Sequence, residues 1–203
     1  CYDADTINEK LIFHETEKQE EFETLLDKKI TLKDKNAVFS LNNKVINLAG
    51  IMGGKSTACL AHTKTVLVEC AYFKPEAIIG KSVKYDIKSE ASHKFERGVD
   101  QDSQDKVLRR FIHVVSENTN IKEMSIGDIE YIENQSVKIP VNVNKINQNI
   151  GINISQDDYI NYLIKLEFDI EENFVKVQSF RSDIKTQNDL AEEVERVIGY
   201  ENM

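Results

Sequence analysis

The spacing of apolar residues changes near residues 133–136, and this change favours a fold in two parts. Upstream of it, strand-type apolar runs stand beside a helical pattern. The upstream segments that predict regular structure are two strands and a helix: NAVFSLNNKVINLA at 36–49, TVLVECAYF at 65–73 and SQDKVLRRFIHVVSENTN at 103–120. Strands and helices therefore mix in the first part.

The downstream part has a different pattern, dominated by short helices. Its segments predict two helices, a hairpin and a closing helix: NVNKINQNIG at 142–151, SQDDYINYLIKLEF at 155–168, FDIEENFVKVQSF at 168–180 and NDLAEEVERVIGY at 188–200. Ser155, with Asp158 three residues later, predicts a helix cap. We therefore predict an α+β fold, with a mixed sheet-and-helix domain at 1–135 and a small, mainly helical domain with a short β-hairpin at 136–203.

Composition excludes several classes of protein. The net charge of -9 argues against a surface that grips nucleic acid broadly, because such surfaces neutralise phosphates with Lys and Arg. Cys1, Cys59 and Cys70 fit neither a paired disulfide framework nor a zinc spacing. No run of eighteen apolar residues is present, so we expect a soluble, cytoplasmic chain that does not enter a membrane. Because the chain opens at CYDAD without a Met, we expect it to be part of something longer.

The closing helix gathers four carboxylates, those of Asp183, Asp189, Glu192 and Glu193. In a helix that begins near Asp189, the three later carboxylates lie on the face opposite the apolar one. One interpretation is a solvated helix face, with Asp189 and Glu192 in capping-box spacing and Gly199 as the stop signal. The other is a metal site, because carboxylate oxygens are the ligands that magnesium prefers.

The segment AGIMGGKST, at 49–57, is similar to a phosphate-binding loop but departs from its pattern. That pattern requires a Gly, four residues and then Gly-Lys-Ser/Thr, and Ala49 stands where the first Gly is needed. Nucleotide hydrolysis is therefore not indicated. Gly50, Gly53 and Gly54 still predict a tight turn or a close approach of the backbone to a ligand.

Glu69 is the one carboxylate inside the apolar segment at 65–73. A buried carboxylate needs a partner, so Glu69 lies either at a sheet rim in water or against a polar pocket. The four histidines have no metal-ligand spacing, and no serine has a base tied to it by sequence. Nucleophilic catalysis consequently has no support from these residues.

Four segments together resemble one family in order and spacing: AGIMGG at 49–54, LVECAYFKPEAI at 67–78, ASHKFERGVD at 91–100 and FRSDIKTQNDLAEEVERVIGY at 180–200. Over nearly its whole length the chain is similar to the beta subunits of bacterial phenylalanyl-tRNA synthetases. The resemblance implies a tRNA-editing domain followed by a small winged-helix-like module. It also implies that phenylalanine is joined to its tRNA in the alpha subunit and not in this chain.

The resemblance implies an editing pocket, which removes tyrosine wrongly joined to phenylalanine tRNA. The matching residues are Gly53, Glu69, Ser89 and Ala91, and the glutamate is implied to recognise the hydroxyl of tyrosine. Ser89 stands where the family usually has Thr, which keeps the hydroxyl. By the resemblance, the family's pocket histidine would fall immediately before Cys1, and a pocket asparagine would fall further upstream. We therefore expect this chain by itself not to hydrolyse Tyr-tRNA at a useful rate.

The resemblance also implies partners and a metal. Asp183, Asp189, Glu192 and Glu193 match carboxylates that carry a magnesium site shared with the alpha subunit, so we expect the isolated chain to bind magnesium poorly. The implied assembly is an alpha2-beta2 tetramer that binds phenylalanine tRNA. ATP is implied to be used by the full enzyme and not to be bound by this chain.

Two other functions compete with editing. The first is a scaffold that only docks subunits and has no editing activity. The second is a DNA-binding protein built on the helical module, which the acidic closing helix disfavours because its carboxylates repel phosphate. A cleft lined by Gly53, Glu69 and Ala91 would favour editing over the scaffold.

Overall fold

The computed structural model describes residues 1–127 and 136–202. These residues form two compact units, Cys1–Val99 with Lys106–Arg110 and Asp100–Asp105 with Phe111–Met203. Both units combine helices with antiparallel sheets, so the predicted α+β class is confirmed. The predicted boundary near 133–136 falls largely outside the described residues and stays a prediction.

The first unit contains small antiparallel sheets and short helices. Its strands are β1 Tyr2–Asp3, β2 Ile12–Thr16, β3 Glu20–Glu23, β4 Lys29–Leu32, β5 Asn36–Leu41, β6 Lys44–Leu48, β7 Met52–Gly53 and β8 Val66–Leu67. Its helices are α1 Pro75–Ile78, α2 Lys81–Tyr85 and α3 Glu90–Arg97, and α4 Gln104–Asn118 contributes residues to both units. The strand order is β2-β5-β6-β7 in the largest sheet, beside the pairs β3-β4 and β1-β8.

The segment at 36–49, predicted as one strand, forms two strands that pair as the hairpin β5–β6. Asn42 and Asn43 join its strands with φ angles of 52° and 59°. A two-residue turn with positive φ at both positions matches the twist of the flanking strands, and Asn tolerates that conformation better than most residues. Val38 and Leu48, which face each other across the hairpin, are buried in the core of the unit.

Aromatic rings close this core on the side of α1 and α3. The rings of Phe13 and Phe39 lie 5.1 Å apart, and Phe73 packs edge-on against Phe95 at 5.1 Å. Gly50, with φ +68°, sits where an added Cβ would lie 3.0 Å from the ring of Phe73. The tight turn predicted at this glycine is therefore set by positive φ and by close packing.

The strand predicted at 65–73 is wrong over most of its length. Only Val66 and Leu67 form a strand, both are exposed, and residues 68–74 have no regular structure. The 3-10 turn at Ala4–Thr6 follows Asp3 in the partner strand β1 and ends the antiparallel ladder on the side of Val66. At the other end the pairing stops at Tyr2 and Leu67. Apolar composition alone does not separate a strand from an extended loop.

The helix predicted at 103–120 is confirmed as α4, but the structure buries none of its residues. Val107, Phe111 and Val114 lie exposed along it. Helical spacing of apolar residues therefore predicted the helix without predicting what covers its apolar side.

The second unit packs helices against a three-stranded sheet, as predicted for a mainly helical domain with a hairpin. Its elements are β9 Lys138–Pro140, α5 Val143–Ile150, α6 Gln156–Lys165, β10 Asp169–Glu171, β11 Phe174–Lys176 and α7 Gln187–Ile198. The sheet order is β10-β11-β9, so β9 adds a strand that the sequence did not predict. The Ser155 side chain caps α6 by accepting from the N–H of Asp158, which confirms the predicted cap.

Helix α7 begins earlier than its acidic residues suggested. Thr186 is its N-cap, and the Asp189 carboxylate accepts from the Thr186 N–H at 2.7 Å, which completes a capping box. The predicted pairing of Asp189 with Glu192 is therefore wrong, because Thr186 supplies both the accepting hydroxyl and the orphan N–H. No helix among residues 1–127 and 136–202 is long and apolar enough to cross a membrane.

Gly54 and Gly127 differ in the space available for a side chain, and this difference gives a test of the close backbone approach at Gly54. A Cβ at Gly54 would lie 2.6 Å from the backbone oxygen of Ile46, which cannot move away freely, whereas at Gly127 it would meet nothing within 4 Å. We expect Gly54→Ala to lower the free energy of unfolding by about 1–3 kcal/mol and Gly127→Ala by less than about 0.5 kcal/mol. Urea denaturation of both variants measures this, and equal losses would contradict the close approach at Gly54.

Candidate functional site

The carboxylate of Glu69 lies in a cluster of three polar side chains from distant parts of the first unit. The Tyr2 hydroxyl donates to Oε2 of Glu69 at 2.7 Å. The amide of Asn47 donates to the Tyr2 hydroxyl oxygen at 2.6 Å and, more weakly, to the same Oε2 at 3.3 Å. Glu69 is thus neither a fully solvated residue at the sheet edge nor a buried charge without a partner. Hydrogen bonds from Tyr2 and Asn47 replace part of the hydration of its carboxylate.

Short strands bring the members of the cluster together. β1 pairs with β8 so that Tyr2 lies opposite Leu67, two residues before Glu69. Tyr2 is 3 % exposed and its ring packs with Leu41 and Ile46. The packing of the ring therefore fixes the position of the hydroxyl. Asn47 follows Ile46 in β6, and strand alternation turns its side chain to the other face, toward the cluster.

Burial sets the electrostatics of the cluster. Loss of water raises the pKa of Glu69 above its usual range, and the hydrogen bond from Tyr2 opposes that rise. Burial, and then the nearby Glu69 charge, raise the pKa of Tyr2 well above that of a free phenol, so the hydroxyl remains a donor. Burial also raises the pKa of the Cys70 thiol, which disfavours the reactive thiolate.

The other three predicted pocket residues, Gly53, Ser89 and Ala91, differ in how closely they are linked to Glu69. Gly53 lies directly opposite Asn47 in the β6–β7 pair, which places it one side chain away from Glu69. Ser89 donates through its hydroxyl to the backbone oxygen of Ile51 at 2.6 Å, two residues before Gly53, and also caps α3. Ala91 lies exposed in the first turn of that helix. Strand pairing and a hydrogen bond therefore join Gly53 and Glu69 through Asn47, and Ser89 is bonded to the turn before β7. Ala91 follows Ser89 only by chain continuity.

A shallow cavity of about 540 Å³ lies elsewhere in the first unit, along β3 and β6. It is lined by polar residues such as Asn8, Glu20 and Lys44, and none of the four predicted pocket residues lines it. The Glu20 side chain there already accepts from the N–H of Val45 at 2.9 Å. We therefore assign the candidate site to the Glu69 cluster, which holds a half-buried carboxylate with two donors, and not to this cavity.

The loop that is similar to a phosphate-binding loop has a structural role. Its Lys55 pairs with Asp27 and, at 3.4 Å, with Glu23, so the cation is already neutralised. The Gly54 N–H donates to the backbone oxygen of Ile46 at 2.8 Å instead of pointing at a ligand. The structure agrees with the departure from the phosphate-binding pattern.

Two arginines meet the acidic residues of the second unit. Arg181 pairs with Asp183 at 2.7 Å and with Glu193 at 2.9 Å, and Arg196 pairs with Glu193 at 2.5 Å. Glu193 is only 8 % exposed, so the expectation that all the acidic residues of this helix lie on a solvated face is wrong for it. The cause is the loop before α7, which places Arg181 over that carboxylate.

The remaining acidic residues have different surroundings. Asp189 accepts from the backbone N–H groups of Lys185 and Thr186, and these bonds lower its pKa. Glu192 is exposed. Within the described ranges 1–127 and 136–202, no group of three or more His, Cys, Asp or Glu could hold a metal ion. As arranged here, the four carboxylates do not fit a magnesium site, because Asp183, Asp189 and Glu193 already have other partners.

Tyr2, Asn47 and Arg181 are the residues of these clusters that the sequence did not single out. A signal existed for Asn47, which interrupts the apolar run of β6 with a polar side chain. Tyr2 and Glu69 are 67 residues apart, so no spacing rule connects them. Arg196 lies four residues after Glu192, a spacing that favours an ion pair along a helix, but it pairs with Glu193.

Comparison with known proteins covers both parts of the chain. Residues 1–120 match the B3/4 domain family, and residues 139–200 match the tRNA synthetase B5 domain family. The chain is 34% identical over 213 residues to the "Phenylalanine--tRNA ligase beta subunit" of Ehrlichia canis (strain Jake), a match that covers all of this chain and 26% of that protein. The protein of the same name from Neisseria gonorrhoeae is 31% identical over 206 residues, again with 100% and 26% covered.

A third relative, the protein of that name from Methylococcus capsulatus, is 34% identical over 178 residues, which cover 85% of this chain and 22% of the relative. The chain therefore spans about a quarter of the length of the curated relatives it matches.

The ion pairs around Glu193 predict unequal effects for two adjacent glutamates. We expect Glu193→Gln to lower the free energy of unfolding of the second unit by about 1–3 kcal/mol, because two arginines lose a charged acceptor at a buried position. The matched control is Glu192→Gln at the exposed neighbour, with a change below about 0.5 kcal/mol. Thermal denaturation measures both, and a larger loss for Glu192→Gln would contradict the described pairing.

The capping box at α7 predicts a dependence of stability on acid. Since the folded pKa of Asp189 is lowered, its contribution is present above the unfolded value near 3.8 and is lost as the pH falls through the folded pKa. We expect Asp189→Asn to cost about 1 kcal/mol at pH 7 and to flatten the loss of stability below pH 4. Unfolding curves between pH 2 and 7 provide the measurement, and an unchanged acid limb in the variant would exclude this role.

Proposed function

Because the chain belongs to the phenylalanine–tRNA ligase beta-subunit family and carries its B3/4 and B5 domains, we propose that the first unit edits phenylalanine tRNA by hydrolysing wrongly attached tyrosine. The observation that carries the proposal is the half-buried carboxylate of Glu69, held beside Gly53 by donors from two other strands. The family matches support the tRNA context, and the cluster supports a site that recognises a hydroxyl.

Discrimination would follow from hydrogen bonding at Glu69. A tyrosine side chain donates its hydroxyl to the carboxylate, whereas a phenylalanine ring in the same place removes water from the carboxylate and returns no donor. A hydrogen bond to a charged group contributes about 1.5–3 kcal/mol, which corresponds to roughly a 10- to 100-fold preference for tyrosine. Such a site selects the wrong amino acid for removal and spares the correct one.

The remaining pocket residues would position the aminoacyl end. A Cβ at Gly53 would lie 2.9 Å from the tip of the Leu25 side chain. Glycine therefore lets the Leu25 side chain pack directly against the end of β7. The Ser89 hydroxyl is engaged with the backbone of Ile51, and in the proposal it fixes the N-terminus of α3 beside the pocket. Water attacks the ester carbonyl carbon, the bond from that carbon to the ribose oxygen breaks, the ribose oxygen takes up a proton from the water, and free tyrosine leaves.

The second unit, in this proposal, serves assembly with an alpha subunit in an alpha2-beta2 enzyme of the cytoplasm, which joins phenylalanine to its tRNA with ATP. Magnesium at the carboxylates around α7 would require Arg181 to leave Asp183 and Glu193, or ligands from the other subunit. No step of the editing reaction depends on that metal.

A scaffold without editing activity is the second candidate. The observation that favours it is the exposed apolar side of α4, with Val107, Phe111 and Val114. A docking role predicts that Glu69 contributes only to folding, whereas editing predicts a separate loss of tyrosine removal.

Substitution of Glu69 in the two-subunit enzyme distinguishes the two functions. We expect Glu69→Gln to slow deacylation of Tyr-tRNA by about 10- to 100-fold and to change the formation of Phe-tRNA less than twofold. The matched control is Glu76→Gln, the same change at an exposed glutamate of α1, which should alter neither rate. Equal losses of both rates in Glu69→Gln would favour a structural role and reject editing at this site.

A further inference from the structure

The two oxygens of the Glu69 carboxylate have different surroundings. Both donors of the cluster, the Tyr2 hydroxyl and the Asn47 amide, reach Oε2. Among the described residues no donor reaches Oε1, and Oε1 is not one of the buried side-chain oxygens that lack a partner. A partnerless oxygen outside that set is not fully buried, so Oε1 can accept a further hydrogen bond.

Asn47 directs the Tyr2 hydroxyl toward the carboxylate. A phenol has one O–H hydrogen, and its oxygen here accepts from the Asn47 amide at 2.6 Å. The hydrogen of the hydroxyl is therefore free to point at Oε2 of Glu69, 2.7 Å away. Because the Tyr2 ring is buried against Leu41 and Ile46, this arrangement is held by packing as well as by hydrogen bonds.

We propose that Tyr2 is a specificity-determining positioning residue, which with Asn47 holds Oε2 of Glu69 from inside the protein so that Oε1 receives the hydroxyl of a bound tyrosine. The inference rests on the proposed editing function and adds to it a residue that recognises no substrate itself. A carboxylate has acceptor sites on both oxygens, so the internal phenol and the incoming phenol bind together without competing.

The chemistry favours positioning over simple packing. A free glutamate side chain samples several rotamers, and each hydrogen bond from a fixed donor limits that sampling before the ligand arrives. Tyr2→Phe keeps the buried ring and removes one oxygen, so it isolates the hydrogen bond from the packing. Tyr85→Phe is the matched control, because Tyr85 is also a buried tyrosine of the first unit, but its hydroxyl bonds to Lys33 and Asn36.

The test compares deacylation of Tyr-tRNA and Phe-tRNA by the two-subunit enzyme carrying either substitution. We expect Tyr2→Phe to lower the ratio of kcat/KM for Tyr-tRNA to that for Phe-tRNA about tenfold, whereas Tyr85→Phe leaves the ratio unchanged. An unchanged or increased ratio in Tyr2→Phe overturns the inference, and an increase would mean that Tyr2 competes with the substrate. A wild-type enzyme without preference for Tyr-tRNA overturns the editing function itself, so the two failures are distinct.

A second readout follows the carboxylate directly. Carboxyl 13C NMR titration of Glu69 in this chain should give a higher pKa in Tyr2→Phe than in wild type, because the lost hydrogen bond stabilised the ionised form. Tyr85→Phe should leave the pKa of Glu69 unchanged. An unchanged pKa in Tyr2→Phe would show that the phenol does not hold the carboxylate, and would overturn the inference.

Discussion

The carboxylate of Glu69 loses much of its water, and the hydrogen bonds that replace this water join three parts of the first unit. Without them a half-buried carboxylate would be costly, since desolvation of an unpaired charge opposes folding. Tyr2 comes from β1 and Asn47 from the central hairpin, so the short β1–β8 pair and the larger sheet are tied at this point. The same bonds engage only Oε2 and leave Oε1 without a donor among the described residues. The interactions that stabilise the carboxylate in the fold therefore also leave it an acceptor for a ligand.

The second unit meets the same requirement with charges instead of neutral donors. Glu193 is buried beside Arg181 and Arg196, and these pairs attach the loop before α7 to the helix. Arg181 also stacks over the ring of Phe168, with 5.5 Å between the guanidinium carbon and the ring centre. The two glutamates are therefore stabilised differently. Neutral donors bond to only one carboxylate oxygen of Glu69. Two arginines pair with both carboxylate oxygens of Glu193.

Local signals predicted much of the fold, and long-range contacts explain what they missed. The Ser155 cap depends on residues three positions apart, so the sequence alone indicated it, whereas the Asn42–Asn43 turn that divides the predicted strand segment was not predicted. The family resemblance supplied Glu69 as a candidate, but nothing local indicated that Tyr2, 67 positions away, would donate to it. For the same reason one of the two partners of Glu193 was missed, because Arg181 approaches from a loop and not along the helix.

The central claim is that Oε1 of Glu69 accepts a phenol while Tyr2 keeps Oε2. A crystal structure of the chain with L-tyrosine amide bound tests this most directly. The account predicts the ligand's phenol oxygen within about 3 Å of Oε1, with the Tyr2 hydroxyl still on Oε2. A ligand bound away from Glu69, or one that has displaced the Tyr2 hydroxyl from Oε2, would contradict it.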